Sequence, residues 1–549
     1  MDGLSASQAG TGTEHPTMRA ADVVANRLYE SGCRWAFGMP GGEVLTLLDA
    51  LEKAGIRFVM CRHENAAGFM AEGAYHRTGA PGILLSTVGP GALNGINVVE
   101  NARQDCVPLI VLTGCVDPET AQTYTHQVLD QAKVFEPVTK ASFTLNAGAA
   151  HVIADKAVGI ATEGRPGPVH IDVPISVADA QATGAGGLRT PALPMVPSPD
   201  ALVVAKNALA AAERPLIIAG LDVISPQGAD CVRHVAEHLG APVITTYKAK
   251  GVMDERHYLA LGGAGLSPKA DEILLPLVAQ ADVILAIGYD PVEMRTGWQN
   301  PWNPQTQVVI DITAAPNHHY MHQATHSFIG DCVQTTAAIL PDAPLNGWSD
   351  DAVAQTKDAL AHAFPKGDTW GPAQAISICQ EELPDTTLAT ADSGAHRILL
   401  SQMWTCTFPK ALTQSSGFCT MGCAVPLAMG AQIAEPDRTV VSFSGDAGFL
   451  MVVGELATAA ENALRTIFVV FVDASLALIE MKQRGRQMKN AGVDFARSDI
   501  AAIGRAFGGH GVSVSNADDL RAALSKAQAV DTFSVIAVEI DKRAYDDAF

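Results

Sequence analysis

Two aspartates, Asp446 and Asp473, each close a run of apolar, largely β-branched residues, and that placement suits a metal-bridged anion site. The run Thr439-Val440-Val441-Ser442-Phe443 breaks at Ser444-Gly445-Asp446-Ala447-Gly448. From Phe449 to Asn462 the residues Leu450, Val453, Leu456 and Ala457 recur at helical spacing, and a second apolar run, Thr466 to Val472, ends at Asp473-Ala474-Ser475. Strand, turn, helix and strand form a βαβ unit whose right-handed crossover brings both carboxylates to one edge of a parallel sheet, where ligands bind in open α/β folds. Gly445 and Gly448 let backbone approach a phosphate, and the start of the following helix favours an anion. Two carboxylates beside a phosphate repel it unless a divalent cation lies between, and Mg²⁺ takes such carboxylates together with phosphate oxygens. On these residues alone an ordinary βαβ unit with an aspartate ending each strand stays open. Glu64, in Arg62-His63-Glu64, stands at a strand-to-helix junction where a carboxylate suits the helix N-terminus, and a plain first-turn glutamate is the alternative.

The elements that must position these groups alternate along the chain. Ala20 to Glu30 reads as helix, Trp35 to Phe37 as strand, Glu43 to Lys53 as helix and Arg57 to Cys61 as strand. A helix then runs from Glu64 to about Thr78, and Gly82 to Thr87 and Leu109 to Thr113 are buried strands, which together make a doubly wound α/β domain. A Gly/Ala/Pro-rich linker over 183–199 precedes four further apolar strands beginning at Pro215, Pro242, Val283 and Val308, and a second linker is expected over about 347–371. The expected fold class is therefore α/β, with three doubly wound parallel-sheet domains at 18–182, 200–344 and 372–549 and a disordered tail over 1–17.

Bulk properties narrow the function. At 549 residues and 48% apolar content the chain can bury about three cores. A formal charge of −21 argues against nucleic acid or an anionic membrane surface as partner, without excluding an anionic substrate at a local basic site. The ten cysteines are scattered, with Cys419 and Cys423 the closest pair, which reads as reduced thiols and a cytoplasmic location. Neither a signal peptide nor an apolar run long enough for a membrane helix is expected.

Taken together, the motifs resemble the thiamine diphosphate enzymes. Gly445-Asp446-Ala447, then Asp473 and Ser475, is similar to that family's diphosphate-and-metal motif, with Ala447 in place of a second glycine and Asp473 in place of an asparagine. The resemblance implies thiamine diphosphate and Mg²⁺ as cofactors, with Asp446, Asp473 and Ser475 as metal ligands and Gly445, Ala447 and Gly448 at the diphosphate. Phe37-Gly38-Met39-Pro40-Gly41-Gly42, Arg62-His63-Glu64, Gly89-Pro90-Gly91-Ala92 and the Gly167 to Pro174 stretch follow the order of the family's pyrimidine-binding domain. Pro40 and Gly41 then fall at the cofactor, and Glu64 at the activating glutamate, whose shared proton favours the cofactor's imino form and so lets C2 lose its proton. Gly394 and His396 match the segment that touches the diphosphate. Met421 matches the apolar wedge between the cofactor rings, and Cys419 the residue whose carbonyl meets the N4′ amine; read alone, Met421 is simply core.

The likeness is nearest to the catabolic, FAD-free acetolactate synthases, through His126-Gln127-x-Leu129-Asp130, Asp473 and the Tyr289-Asp290-Pro291 segment. It implies a central Rossmann-like domain without FAD and catalytic roles for His126 and Gln127. It also implies a pocket shaped by Leu478, Ile479 and Lys482, with Lys482 or Arg484 meeting a substrate carboxylate. The implied reaction is attack on a pyruvate-like 2-keto acid, loss of CO₂, and ligation of the remaining unit to a second carbonyl. The implied assembly is a homo-oligomer, dimer or tetramer, with active sites at the subunit interface. Glu43 departs from the pattern, because those enzymes often carry lysine there. A simple 2-keto acid decarboxylase, a flavin-dependent oxidase and a non-catalytic cofactor-binding subunit are the other readings. The His318-His319 cluster is expected to be a solvated loop.

Overall fold

The computed structural model describes residues 17–183, 190–292 and 294–549. Most of the expected tail, and Glu293 of the Tyr-Asp-Pro segment, lie outside these residues. Thr17, placed by the sequence reading in the tail, instead pairs with Thr183 in a two-stranded antiparallel ribbon.

Three six-stranded parallel sheets organise the chain, each flanked by helices. The first runs spatially Arg57–Met60, Trp35–Met39, Gly82–Ser86, Leu109–Cys115, Val169–Pro174, Ala141–Thr144. The third runs Leu412–Gln414, Leu388–Ala391, Val440–Gly445, Ile467–Val472, Ser534–Glu539, His510–Val514. Numbered within each sheet, both follow the order 2-1-3-4-6-5, so the two outer domains share one topology. The middle sheet runs 3-2-1-4-5-6, the dinucleotide-fold order. Its inner strands Pro215–Ala219, Val243–Thr246 and Val283–Ile287 are buried throughout, as helices on both faces require.

The sequence places a single helix over Phe449 to Asn462, but the structure divides it into Asp446–Met451 and Glu455–Glu461. The break has a tertiary cause. Glu455 is buried, and its Oε1 accepts from the backbone N–H groups of Arg62 and His63, each at 2.9 Å, in the first domain. The stretch read as a second linker also contains a helix, Ala352–Ala363, whose Val353 and Leu360 pack into the middle domain's core.

The outer domains meet through helices Glu64–Thr78 and Ala424–Ala434. They cross at glycines: a Cβ on Gly73 would lie 2.2 Å from the Leu427 carbonyl oxygen, and one on Gly430 2.0 Å from that of Met70. Phe69 and Met70 from one domain and Leu427, Phe449 and Phe468 from the other share one core cluster. The Glu64 helix is thereby fixed rigidly to the domain that carries Asp446 and Asp473.

Candidate active site

In the third sheet the strand order turns back between Leu388–Ala391 and Val440–Gly445, and a cavity of about 350 Å³ opens at the carboxyl ends of these strands. Gly394, His396, Cys419, Met421, Gly445, Asp446, Ala447, Gly448, Asp473, Ser475, Leu478, Ile479 and Lys482 all line it. Gly445 caps the helix Asp446–Met451, and Ala447 is helical, so the alanine in the second-glycine position carries no backbone strain. Gly448 is needed for a different reason: a Cβ there would come within 2.0 Å of Asp392 Oδ2. Asp392 is fully buried and accepts from the N–H groups of Ser393, Gly422 and Cys423. It pins the end of the Met421 segment to the strand edge, and burial pushes its carboxyl up to about 6 despite these donors.

The two aspartates are buried at adjacent strand ends. Asp446 Oδ1 accepts from Ala447 N–H at 2.8 Å, and Oδ2 from Ala474 N–H at 2.9 Å. Ala474 takes a left-handed conformation, φ 55°, which a side chain adopts only when its surroundings enforce it. Burial raises the Asp446 carboxyl. Asp473 is pushed up to about 7, first by burial and then by the Asp446 charge, against the pull of Ser475 N–H. Ser475 lines the cavity, but its hydroxyl donates to Asp494 Oδ1 at 2.8 Å and is not directed to the aspartates.

The donor set fits a diphosphate held through a cation. Two mutually repelling buried carboxylates are what a divalent ion relieves. The buried Nε2 of His396 and the hydroxyl of Ser393 have no hydrogen-bond partner among the described residues, leaving polar groups for phosphate oxygens. His396 is held neutral, its pKa lowered to about 3 by burial and by Arg397. Backbone comes close here: a Cβ on Gly394 would sit 2.7 Å from the His396 ring.

Two cavity residues come from the middle domain and were not anticipated: Leu266 and Arg295. Arg295 is half-buried and forms no ion pair with a described residue, so its guanidinium is available to a ligand. Lys482 faces the same space, whereas Arg484, the other basic candidate, is committed to Glu480 and Asp546. No local pattern marks Leu266 or Arg295, because the loops carrying them are folded across from another domain.

The first domain's candidates form a separate constellation. Glu64 opens its helix behind His63, whose ring accepts from Asn65 N–H. The Glu64 carboxylate is buried and accepts from Asn94 Nδ2 at 3.0 Å, and Gly91 gives it room, since a Cβ there would approach Oε1 to 2.9 Å. Gly41 packs on Thr87, where a Cβ would meet Oγ1 at 2.4 Å, and Pro40 precedes it in the loop after Trp35–Met39. His126 and Gln127 lie in the loop before helix Gln131–Phe135 and line a second cavity of about 230 Å³ with Glu43. Glu43 Oε2 accepts from Thr87 Oγ1 at 2.7 Å. None of Glu64, His126, Gln127, Pro40 and Gly41 lines the Asp446 cavity within one chain. His318 and Tyr320 are exposed and His319 half-buried, whereas the neighbouring His322 is buried against Tyr289 and Trp302.

Comparison with known proteins agrees with this division. Three family models match in order: the thiamine pyrophosphate enzyme N-terminal TPP binding domain over residues 18–134, the central domain over 203–339 and the C-terminal TPP binding domain over 392–538. The chain belongs to the thiamine pyrophosphate enzyme family. Among its relatives, acetolactate synthase of Bacillus subtilis (strain 168) is 29% identical, with 95% of this chain and 93% of that protein covered. The catabolic acetolactate synthase of Raoultella terrigena is 28% identical over 96% of both chains. The acetolactate synthase isozyme 2 large subunit of Escherichia coli (strain K12) is 30% identical over 96% of both. No described helix is long and apolar enough to cross a membrane.

Proposed function

We propose that the chain is a thiamine diphosphate- and Mg²⁺-dependent carboligase that decarboxylates a pyruvate-like 2-keto acid and joins the remaining unit to a second carbonyl compound. The observation that carries this reading is the Asp446–Asp473 cavity with Arg295 and Lys482, neither ion-paired among the described residues, on its wall. Asp446, Asp473 and the residue 475 backbone hold the cation, while Gly394, His396 and the helix beginning at Asp446 take the diphosphate. When bound, the cofactor would supply a carbon acid at C2 whose carbanion, after loss of the proton, could add to the keto carbonyl and a thiazolium ring able to take up the electron pair left when CO₂ departs. Arg295, with Lys482, orients the substrate carboxylate by charge-assisted hydrogen bonding. Leu478, Ile479 and Leu266 give an apolar lining to the space where the acceptor must arrive, which disfavours water there once the site is covered. Glu64 holds a proton at the far end of the cofactor's pyrimidine ring, and Asn94 fixes its carboxylate.

The active unit in this reading is at least a dimer. Glu64, His126 and Gln127 complete the Asp446 cavity of a second copy, since neither cavity within one chain contains both sets. Leu45 and Leu93, beside the Glu64-side loops, and Phe418 and Met451, beside the cofactor-side segments, are exposed apolar residues suited to such a contact.

The middle domain is proposed to work without flavin. At the crevice where its strand order reverses, between Pro215–Ala219 and Val283–Ile287, a Cβ on Gly220 would meet the Gly288 carbonyl oxygen at 2.5 Å, and a cavity of about 250 Å³ lined by Leu221, Asp222 and Ala314 lies alongside. Arg165 from the first domain lies there, paired with Asp290 and 3.6 Å from Asp222. An internal cation between two carboxylates occupies the position where this fold receives a dinucleotide.

The test is CO₂ release from a panel of 2-keto acids, with thiamine diphosphate and Mg²⁺ each omitted in turn. Release that requires both supports the proposal. Release without either, or none from any 2-keto acid, rules it out.

A further inference from the structure

The segment 415–420, which carries Cys419 and leads into Met421 at the cavity wall, belongs to the third domain, whose Arg397 donates to the Ser415 carbonyl at 2.7 Å and to Cys419 Sγ at 3.4 Å, but it is also held from the other two domains. Gly417 N–H donates to Asp105 Oδ1 at 2.7 Å and Ser416 N–H to Oδ2 at 3.1 Å. Lys248 Nζ, from the middle domain, donates to the same Oδ2 at 2.8 Å and to the Gln414 carbonyl at 3.2 Å. Ser415 Oγ donates to Asn101 Oδ1 at 2.5 Å while accepting from Thr420 N–H at 3.0 Å, and Asn101 Nδ2 donates to Glu72 Oε2 at 3.0 Å. Thr420 Oγ1 donates to Asn97 Oδ1 at 3.0 Å. Glu72, Asn101, Asp105, Ser415 and Ser416 are all buried. The segment's backbone is also packed from outside, since a Cβ on Gly417 would lie 2.7 Å from Gln104 Cβ.

These bonds have a conformational consequence. Cys419 takes φ 53°, and the turn at 415–420 has no strand partner for its N–H groups. A non-glycine residue in the left-handed region persists only when its neighbours over-determine it. Beside Arg397, the determining groups contributed by the other domains are a carboxylate taking two N–H bonds, an ammonium that neutralises it, and an amide that bridges to Thr420 through one hydroxyl.

We propose that Asn101 and Asp105, supported by Lys248, are positioning residues that set the cavity wall at Cys419 and Met421 from outside the domain that binds the diphosphate. The inference rests on the thiamine diphosphate reading of that cavity. The wall faces the part of the ligand that lies away from the cation, while Gly394, Gly445 and Asp446 are held by their own strands and helices. Loosening the wall therefore weakens the grip on the ring portion and leaves the grip on the diphosphate unchanged.

Inorganic pyrophosphate and thiamine diphosphate, titrated calorimetrically with Mg²⁺ into wild type, Asn101→Ala and Ser415→Ala, separate the two grips. Ser415→Ala removes a single hydroxyl and leaves the Asp105–Lys248 pair intact, so it serves if Asn101→Ala does not fold. The expected result is thiamine diphosphate affinity lowered by about tenfold or more, the scale of one lost buried hydrogen bond, with pyrophosphate affinity within about twofold of wild type. Equal loss for both ligands, or thiamine diphosphate affinity unchanged, overturns the assignment. Wild type that binds pyrophosphate but not thiamine diphosphate overturns the cavity reading and the assignment with it.

Discussion

Ala474 N–H donates to the Asp446 carboxylate at 2.9 Å, so the loop that carries Asp473 is tied to the aspartate ending the neighbouring strand. The contact joins the two halves of the βαβ unit at its ligand edge, and holds Ala474 left-handed so that both carboxylates serve one small volume. Asp446→Ala removes a carboxylate and the acceptor that fixes the loop. We expect it to abolish metal-dependent cofactor binding, whereas Asp473→Asn keeps an oxygen ligand, relieves the repulsion and preserves binding. Titration of each variant with thiamine diphosphate and Mg²⁺ decides, and full affinity in Asp446→Ala would place the metal elsewhere.

Cation binding should depend on pH in a stated direction. The Asp473 carboxyl is raised to about 7 by burial and by Asp446, so in the metal-free protein it holds its proton below that pH. A cation requires the ionised form, so apparent Mg²⁺ affinity should rise with pH up to about 7 and then level off. The same shift makes the metal-free fold lose stability as pH rises from the ordinary aspartate range towards 7, because the folded state binds the proton more tightly. Asp473→Asn should flatten both profiles. Affinity that falls as pH rises from 5 to 7 would contradict the assignment.

How much of this was legible in the sequence depended on how local each signal is. The Asp446–Asp473 relation follows from two apolar runs and a helical period between them, which a βαβ unit converts directly into neighbouring strand ends. Glu64 at its helix start is local in the same way. What could not be read depends on contacts between domains. The break at 452–454 exists because Glu455 serves Arg62 and His63 of the first domain, and no periodicity encodes that. Arg295 and Leu266 reach the cavity only because the middle domain folds over it. Asp392 stands two residues before Gly394, but its bonds to the Gly422 and Cys423 N–H groups on the Met421 side of the site emerge only from the folded loop. Arg484 shows the converse: it stood with Lys482 as a candidate for the substrate carboxylate, and its ion pairs with Glu480 and Asp546 commit it elsewhere.

Glu64→Gln should leave the fold and diphosphate binding intact and lower turnover by about 10² or more, the scale of a lost acid–base group. In the proposed dimer each subunit offers two half-sites, so mixing Glu64→Gln with Asp446→Ala subunits should restore activity well above that of either variant alone. Recovery would arise in mixed dimers, where one interface carries intact Glu64 opposite intact Asp446. No recovery after demonstrated subunit exchange would show that Glu64 serves the cavity of its own chain.

The purified protein should carry no flavin, because Arg165 bridges the carboxylates at the middle domain's crevice and Gly220 packs on the Gly288 carbonyl. The absorption spectrum of the denatured protein supernatant checks this. Stoichiometric FAD would restore the oxidase reading.

The fate of pyruvate tests the central claim most directly. Incubation with thiamine diphosphate, Mg²⁺ and pyruvate, followed by acid treatment that converts acetolactate to acetoin, separates ligation from simple protonation. The arrangement of Arg295 and Lys482 in a cavity walled by Leu478 and Ile479 predicts acetolactate as the main product, with little acetaldehyde. Acetaldehyde as the sole product, or pyruvate left unconsumed while cofactor is bound, would contradict the account.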